Sequence, residues 1–404
     1  MLRSSLKSAF VLALLVGGQL AFAQKPKNEP RRPKLPAGAD TNSAQVYYDL
    51  GLDKFDRDPD EAADAFYWAA RINPTQAESY YARRCALLIA DRYRFERYWD
   101  DDRRTLQSDE VKRIDSLYLY ALTINPFLYR KLDVRLDRFY WDLVAEEIAR
   151  RNNVNTGEVR YAIDRLLAQQ PSWRKARDAY GEGRFEDALR LYADAIDRAR
   201  YKADLRIERG RLFFQLNQAD SALAELSKAL EEEQKTDKKD LVYFYNSKEV
   251  LEHSIGLVQE RLGNTAGAKE AFGHALQENL SYFPAHVQLG YLALEAKDTT
   301  TALSEMDLAV QIRTDDPVLR YLYGYTLAVN GKFKDAEVQL RKAIELDPVF
   351  AAPYNELGEV LDHQNRASEA LAQYRTFLAL ASRDDMRRKA AEERVQVLAA
   401  KSGG

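Results

Sequence analysis

From residue 331 to 348 the chain reads GKFKDAEVQLRKAIELDP, and Phe333, Ala336, Leu340 and Ala343 recur three and four residues apart among charged and amide side chains. That period puts the apolar residues on one face of a helix. Gly331 before it and Pro348 after it supply start and stop signals. The same alternation of helical period and short polar turn runs along most of the chain. With 18 glycines and 12 prolines in 404 residues, little interrupts helix elsewhere.

The landmarks of this helix return at a fixed interval. Gly256, Gly290, Gly324 and Gly358 are each 34 residues apart, and Ala268, Ala302, Ala336 and Ala370 follow each glycine by 12. A second alanine set, Ala275, Ala309 and Ala343, keeps step until Phe377 breaks it. Upstream, Ala188 and Ala222 are again 34 apart, and the 46 residues from Ala222 to Ala268 contain a 12-residue insertion around the charged run EEEQKTDKKDLV. A fixed period of this length is the signature of stacked structural repeats. Small residues on both helices of a pair allow close approach where the helices cross. Phe272, Met306, Leu340 and Tyr374 are then expected to fill the seam to the next pair. The turn between paired helices needs a residue that tolerates a left-handed backbone, and Gly263, Gly331 and Asn365 stand at equivalent places. Lys297 holds the fourth such place and fits it less well. Pro284, Pro317, Pro348 and Pro353 sit near helix starts or just past helix ends.

On these landmarks the chain resembles the tetratricopeptide repeat family, whose pattern is an aromatic, Leu-Gly, Ala-x-x-x-Phe, a further Ala and a closing Pro. The best copies here are Tyr354, Leu357, Gly358, Ala370 and Tyr374, and Gly324, Ala336, Leu340, Ala343 and Pro348. The resemblance implies an all-α, right-handed α-solenoid of helix-turn-helix repeats over 171–382, closed by a capping helix in 383–404. A divergent copy with Leu50, Gly51, Ala62, Phe66, Ala69 and Pro74, its turn one residue short, opens a looser region over 43–106. Residues 107–170 are helical by period and rich in Tyr, Trp, Arg and Asp, without a repeat landmark.

The first residues change the picture of where the protein works. Arg3 and Lys7, the run AFVLALLVGG and the small-residue site Ala21-Phe22-Ala23 read as an export signal cleaved after Ala23, too short in its apolar part for a membrane span of ~20 residues. Residues 24–42 then read as a disordered, basic, proline-rich linker, with contact to an anionic envelope polymer as a functional alternative. The expected location is the periplasm or outside the cell. Removing the signal leaves 58 basic against 63 acidic residues, a charge of −5, which argues against nucleic acid or an anionic membrane as the main partner. Cys85 is the only cysteine, so no internal disulfide is available and Cys85 is expected as a small buried hydrophobe.

Candidate chemistry is thin. His253, His274, His286 and His363 lie in different repeats and lack metal-ligand spacing. DRDPDE, residues 56–61, alternates aspartates like the opening of a calcium loop, but it has no glycine and Tyr67 stands where the closing Glu should be. No Gly-x-Ser-x-Gly, Walker loop, dinucleotide fingerprint or His-Glu-x-x-His is present. No cofactor or metal is expected and no enzyme, and a hydrolase site would have to lie in 107–170.

The resemblance implies instead a binding surface, because in that family the first helices of successive pairs line a concave groove. The groove positions fall at Leu257 and Glu260, Tyr291 and Leu294, Tyr321 and Tyr325, and Asn355, Glu359 and Asp362. Tyrosine offers large amphipathic contact area at low entropic cost, which suits capture of a protein or peptide, with basic residues facing Glu359 and Asp362. Places where some family members clamp a terminal carboxylate hold Val287, Tyr291, Leu322, Ala352 and Glu356, none of them basic. The reading is a non-catalytic, exported scaffold for protein partners. The alternative is an envelope protein that holds polysaccharide or cell wall through its Tyr/Trp-rich segment.

Overall fold

The computed structural model describes residues 29–90, 109–168, 172–235 and 247–402, which carry nineteen helices and no strand. The expected export signal lies outside the described residues, as do residues 24–28 of the expected linker. In chain order the helices before the repeats are α1 (Ala44–Lys54), α2 (Pro59–Ile72), α3 (Ala77–Ala90), α4 (Asp109–Ile124), α5 (Asp133–Asn152) and α6 (Thr156–Ala168). Six helix pairs follow. They are α7 (Ser172–Gly181) with α8 (Phe185–Arg198), α9 (Ala203–Gln215) with α10 (Ala219–Lys235), α11 (Lys248–Arg261) with α12 (Thr265–Glu278), α13 (Phe283–Glu295) with α14 (Thr299–Ile312), α15 (Pro317–Val329) with α16 (Phe333–Leu346), and α17 (Ala352–His363) with α18 (Ala367–Leu380). A last helix, α19 (Arg388–Ser402), packs on α18. The fold class is an all-α solenoid of helix-turn-helix repeats.

What closes five of the six pairs is a glycine on the first helix lying under a large side chain of the second; in α7–α8 the equivalent position is Ala176. A Cβ added at Gly324 would lie 2.8 Å from Leu340 Cγ, and one at Gly358 would lie 2.9 Å from Tyr374 Cδ1. Gly210 meets Leu226, Gly256 meets Phe272, and Gly290 meets Met306 in the same way. In each case the large residue stands 16 positions after its glycine. In α1–α2, where the turn is one residue short, Gly51 meets Phe66, 15 positions on. The large residues expected to fill the seam to the next pair therefore seat first on the glycine of their own pair. At least for Leu340, the rest of the side chain also reaches onward, since it shares one cluster with Leu357, Val360 and Tyr374 of the next pair.

The turns follow the same phase. Gly263, Lys297, Gly331 and Asn365 all take a left-handed backbone, with φ of 75°, 58°, 72° and 61°. Gly183 and Asn217 repeat this upstream. Lys297 adopts the conformation despite its Cβ, because the 34-residue frame fixes the turn and leaves no other path. Caps reinforce the helix starts: Asn264 Oδ1 accepts from Gly267 N–H and Asp298 Oδ1 from Thr301 N–H, both at 3.1 Å.

By backbone contacts the chain divides into two compact units. The first holds the described parts of Met1–Arg83, Asp109–Tyr118 and Leu289–Gly404, and the second those of Arg84–Ser108 and Leu119–Gln288. In the first unit the first helices of the chain meet its last repeats. Arg71, from α2, forms a buried ion pair with Asp347, just past α16, at 3.0 Å. Burial pushes Asp347 up to about 6, with Arg71 pulling the other way. The stretch from Glu29 to Asn42 has no helix or strand and lies against its neighbours. Trp68 Nε1 donates to Pro30 O at 3.1 Å, Arg32 lies over the rings of Tyr47 and Trp68, and Asn42 Nδ2 donates to Ala379 O at 2.8 Å. Cys85 is fully buried.

Two stability measurements check this account. Gly324→Ala is expected to destabilise by about 1–3 kcal/mol through overpacking against Leu340. Adding Leu340→Ala should cost less than the two single changes summed, because the emptied seat accommodates the new methyl. Strict additivity in denaturant titrations would refute the seat. Lys297→Gly should raise the unfolding midpoint, gaining about 0.5–1 kcal/mol by relieving the left-handed Cβ. Asn365→Gly should gain less, since Asn tolerates that region.

Candidate functional site

In the first unit the inner residues of α15 and α17 converge with Tyr291 of α13. Tyr325 is 39% exposed, Glu359 is exposed, and Tyr291, Leu294 and Tyr321 are half-buried. Burial pushes Tyr291 up to about 12, with Tyr321 and Tyr325 adding to the shift, so the three phenols lie within electrostatic reach of one another. Tyr321 packs edge-on against Phe350 with ring centroids 5.4 Å apart. Beside it, burial pushes Glu356 up to about 7; Glu359 adds to the shift and Arg387 opposes it. The Arg387 guanidinium is itself held at 2.7 Å by Asp385 and lies over the Phe377 ring. Asn355 is buried, and its Nδ2 donates to Glu359 Oε1 at 2.8 Å. Asp362 is taken by the chain's own Arg394, from α19. The open part of this face is therefore Tyr291, Leu294, Tyr321, Tyr325, Glu356 and Glu359. Glu356 and Arg387 were missed as site residues from sequence. The one had been weighed only against a carboxylate clamp, and the other lies beyond the last repeat.

In the second unit the corresponding face is filled. Leu257 packs on the cluster of Ile207, Leu251, Ile255 and Phe127, and Glu260 is half-buried. Phe127 comes from the non-helical stretch between α4 and α5 and stacks on Phe214, centroids 3.7 Å apart. Gln215 Nε2 donates to Phe127 O at 2.5 Å. The Tyr129 hydroxyl lies 3.0 Å from Tyr180 O and 3.1 Å from Gly181 O, and Arg130 pairs with Glu208. Farther on, Asp137 pairs with Arg177, and Arg174 lies over the Trp141 ring at 5.0 Å. The region without repeat landmarks thus lies along the first helices α7 and α9. Its aromatics are mostly turned inward, and only Tyr161 among them is strongly exposed, at 66%.

His253 and His363 serve packing. His253 Nδ1 lies 3.2 Å from the Tyr282 hydroxyl in a buried site that holds its pKa down to about 3, and His363 stacks on Phe333. Among the described residues no group of three or more His, Cys, Asp or Glu is placed to hold a metal ion, and no helix is long and apolar enough to cross a membrane.

Residues 179–240 and 321–385 each match a family model described as tetratricopeptide repeat. These two stretches of the chain are tetratricopeptide repeats. A tetratricopeptide stretch of 107 residues is 30% identical to protein O-mannosyl-transferase Tmtc1 of Drosophila melanogaster, covering 24% of this chain and only 12% of that protein. Among solved structures, YrrB, described as a tetratricopeptide protein with an unusual peptide-binding site, is 22% identical with a TM-score of 0.40, covering 51% of this chain and all of that one. The C-terminal part of a tetratricopeptide protein from Cytophaga hutchinsonii is 14% identical with a TM-score of 0.44, covering 56% of this chain and 95% of that one.

The raised Glu356 makes this tetratricopeptide face sensitive to pH. Its folded pKa lies above the ordinary 4.5. Its contribution to stability is therefore fully present below about 4.5 and is lost as pH rises through about 7. Glu356→Gln is expected to stabilise the protein at pH 8 by about 1–3 kcal/mol and to change little at pH 5. Thermal melts of both proteins at the two pH values test this, and an equal effect at both would contradict it.

Proposed function

We propose that this protein is an exported, non-catalytic scaffold that holds an extended polypeptide on the first-helix face of its carboxy-terminal repeats. The observation that carries the reading is the group of Tyr291, Tyr321 and Tyr325, partly open to solvent and bordered by Glu356 and Glu359. Rigid aromatic rings with hydroxyl tips supply most of the contact energy at many protein interfaces. Repeat stacking holds the helices that carry them, so little ordering is lost on binding. Export is part of the proposal and rests on the sequence of residues 1–23. The polysaccharide alternative has less support, because the aromatics of residues 107–170 are buried or half-buried apart from Tyr161.

Changing Tyr291, Tyr321 and Tyr325 together to Ala should leave helicity intact and weaken retention of partner proteins from an envelope extract by tenfold or more. An unchanged set of retained proteins would refute the face. Mass spectrometry of the secreted product should find Gln24 at its amino terminus, and an intact Met1 would refute export by cleavage.

A further inference from the structure

We infer that the open face of the first unit takes an extended segment presenting an arginine to Glu356, with an aromatic residue immediately before it. This deepens the proposed function and rests on that reading of the face.

The argument comes from the other unit, where the chain holds such a segment of its own. Pro126-Phe127-Leu128-Tyr129-Arg130 has no helical structure and is bound through Phe127 to Phe214 and Gln215, through Tyr129 to the carbonyls of Tyr180 and Gly181, and through Arg130 to Glu208. Glu208 stands two residues before the seat glycine Gly210. Glu356 stands two residues before Gly358, the equivalent seat four repeats and one insertion later. The two carboxylates therefore occupy the same position on the first helix of their pairs. Burial alone would push Glu208 up, but Arg130, together with Arg211 at 2.8 Å, outweighs it and holds Glu208 below its ordinary range. Glu356 is half-buried and has no ion pair among the described residues. The nearby Arg387 is engaged by Asp385. Where Glu208 has Arg211 beside it, three residues on, Glu356 has Glu359. The position thus carries two carboxylates where the filled face carries one, and it lacks the arginine that neutralises the filled one. A guanidinium entering from a partner would meet Glu356 and Glu359 together, in a setting where a charge-assisted, bidentate bond is strongest. In the filled face Tyr129, one residue before Arg130, reaches the preceding first helix at Tyr180 and Gly181, and in the open face the preceding first helix carries Tyr321 and Tyr325.

The test uses the mature chain and two synthetic peptides, Asn-Pro-Phe-Leu-Tyr-Arg-Lys and the same sequence with Gln for Arg, followed by fluorescence anisotropy. The arginine peptide should bind at least tenfold more tightly than the glutamine peptide. Glu356→Gln should remove that preference, while Glu208→Gln leaves it in place. Equal binding of both peptides to the wild type, with both lost on changing the three tyrosines, would overturn the arginine assignment and leave the face standing. Binding indifferent to the tyrosines would overturn both, and so would a preference abolished by Glu208→Gln and untouched by Glu356→Gln. Absence of binding by either peptide, alongside a tyrosine variant that loses its partner proteins, would overturn this inference alone. The comparison of the two peptides on the wild-type chain does not depend on any variant folding.

Discussion

The seat of a large side chain on a glycine one helix earlier governs the rest of this molecule. A Cβ at Gly210, Gly290, Gly324 or Gly358 would come within about 3 Å of the residue seated on it, closer than real side-chain carbons come. Each of these pairs of helices is thus fixed in rotation as well as in distance. Once the glycine face of a first helix is turned toward its own partner, the opposite face is turned away from it. The residues one position after the glycine and two or three before it then line up from repeat to repeat.

What differs between the two units is what those aligned residues meet. In the second unit the stretch from Phe127 to Trp141 lies on them, with a ring stack, a carbonyl contact and ion pairs as anchors. In the first unit they remain partly open, and the cost appears as electrostatic tension: burial and Glu359 push Glu356 up to about 7. Charge at such a position is costly unless a partner cation arrives with its own hydrogen bonds. Packing thus produces two chemically related faces in different states of occupancy.

The first unit also shows why stability needs no disulfide. The amino-terminal pair α1–α2 and the stretch before it reach the connection after α16 and the last turn of α18, through the Arg71–Asp347 pair and the bond from Asn42 to Ala379. Those contacts join residues more than 270 positions apart in the chain. They cover connections that a solenoid would otherwise leave to solvent, and α19 covers the apolar end of α18 through Ala391 and Leu398.

The sequence by itself determined the repeat unit. The interval of 34, the small residues, the left-handed turns at Gly263, Gly331 and Asn365, and the misfit at Lys297 are local or nearest-neighbour properties, and a periodic chain writes these repeatedly. Tertiary structure decided which positions lining the first helices stay open. Leu257 became packing because Phe127 arrives from outside the periodic region, Asp362 was taken by Arg394 beyond the last repeat, and Glu356 gained its raised pKa from burial among Tyr321, Glu359 and Arg387. Each of these depends on contacts between segments that share no period, and no phase in the sequence records which non-repeating segment will lie on a repeating face.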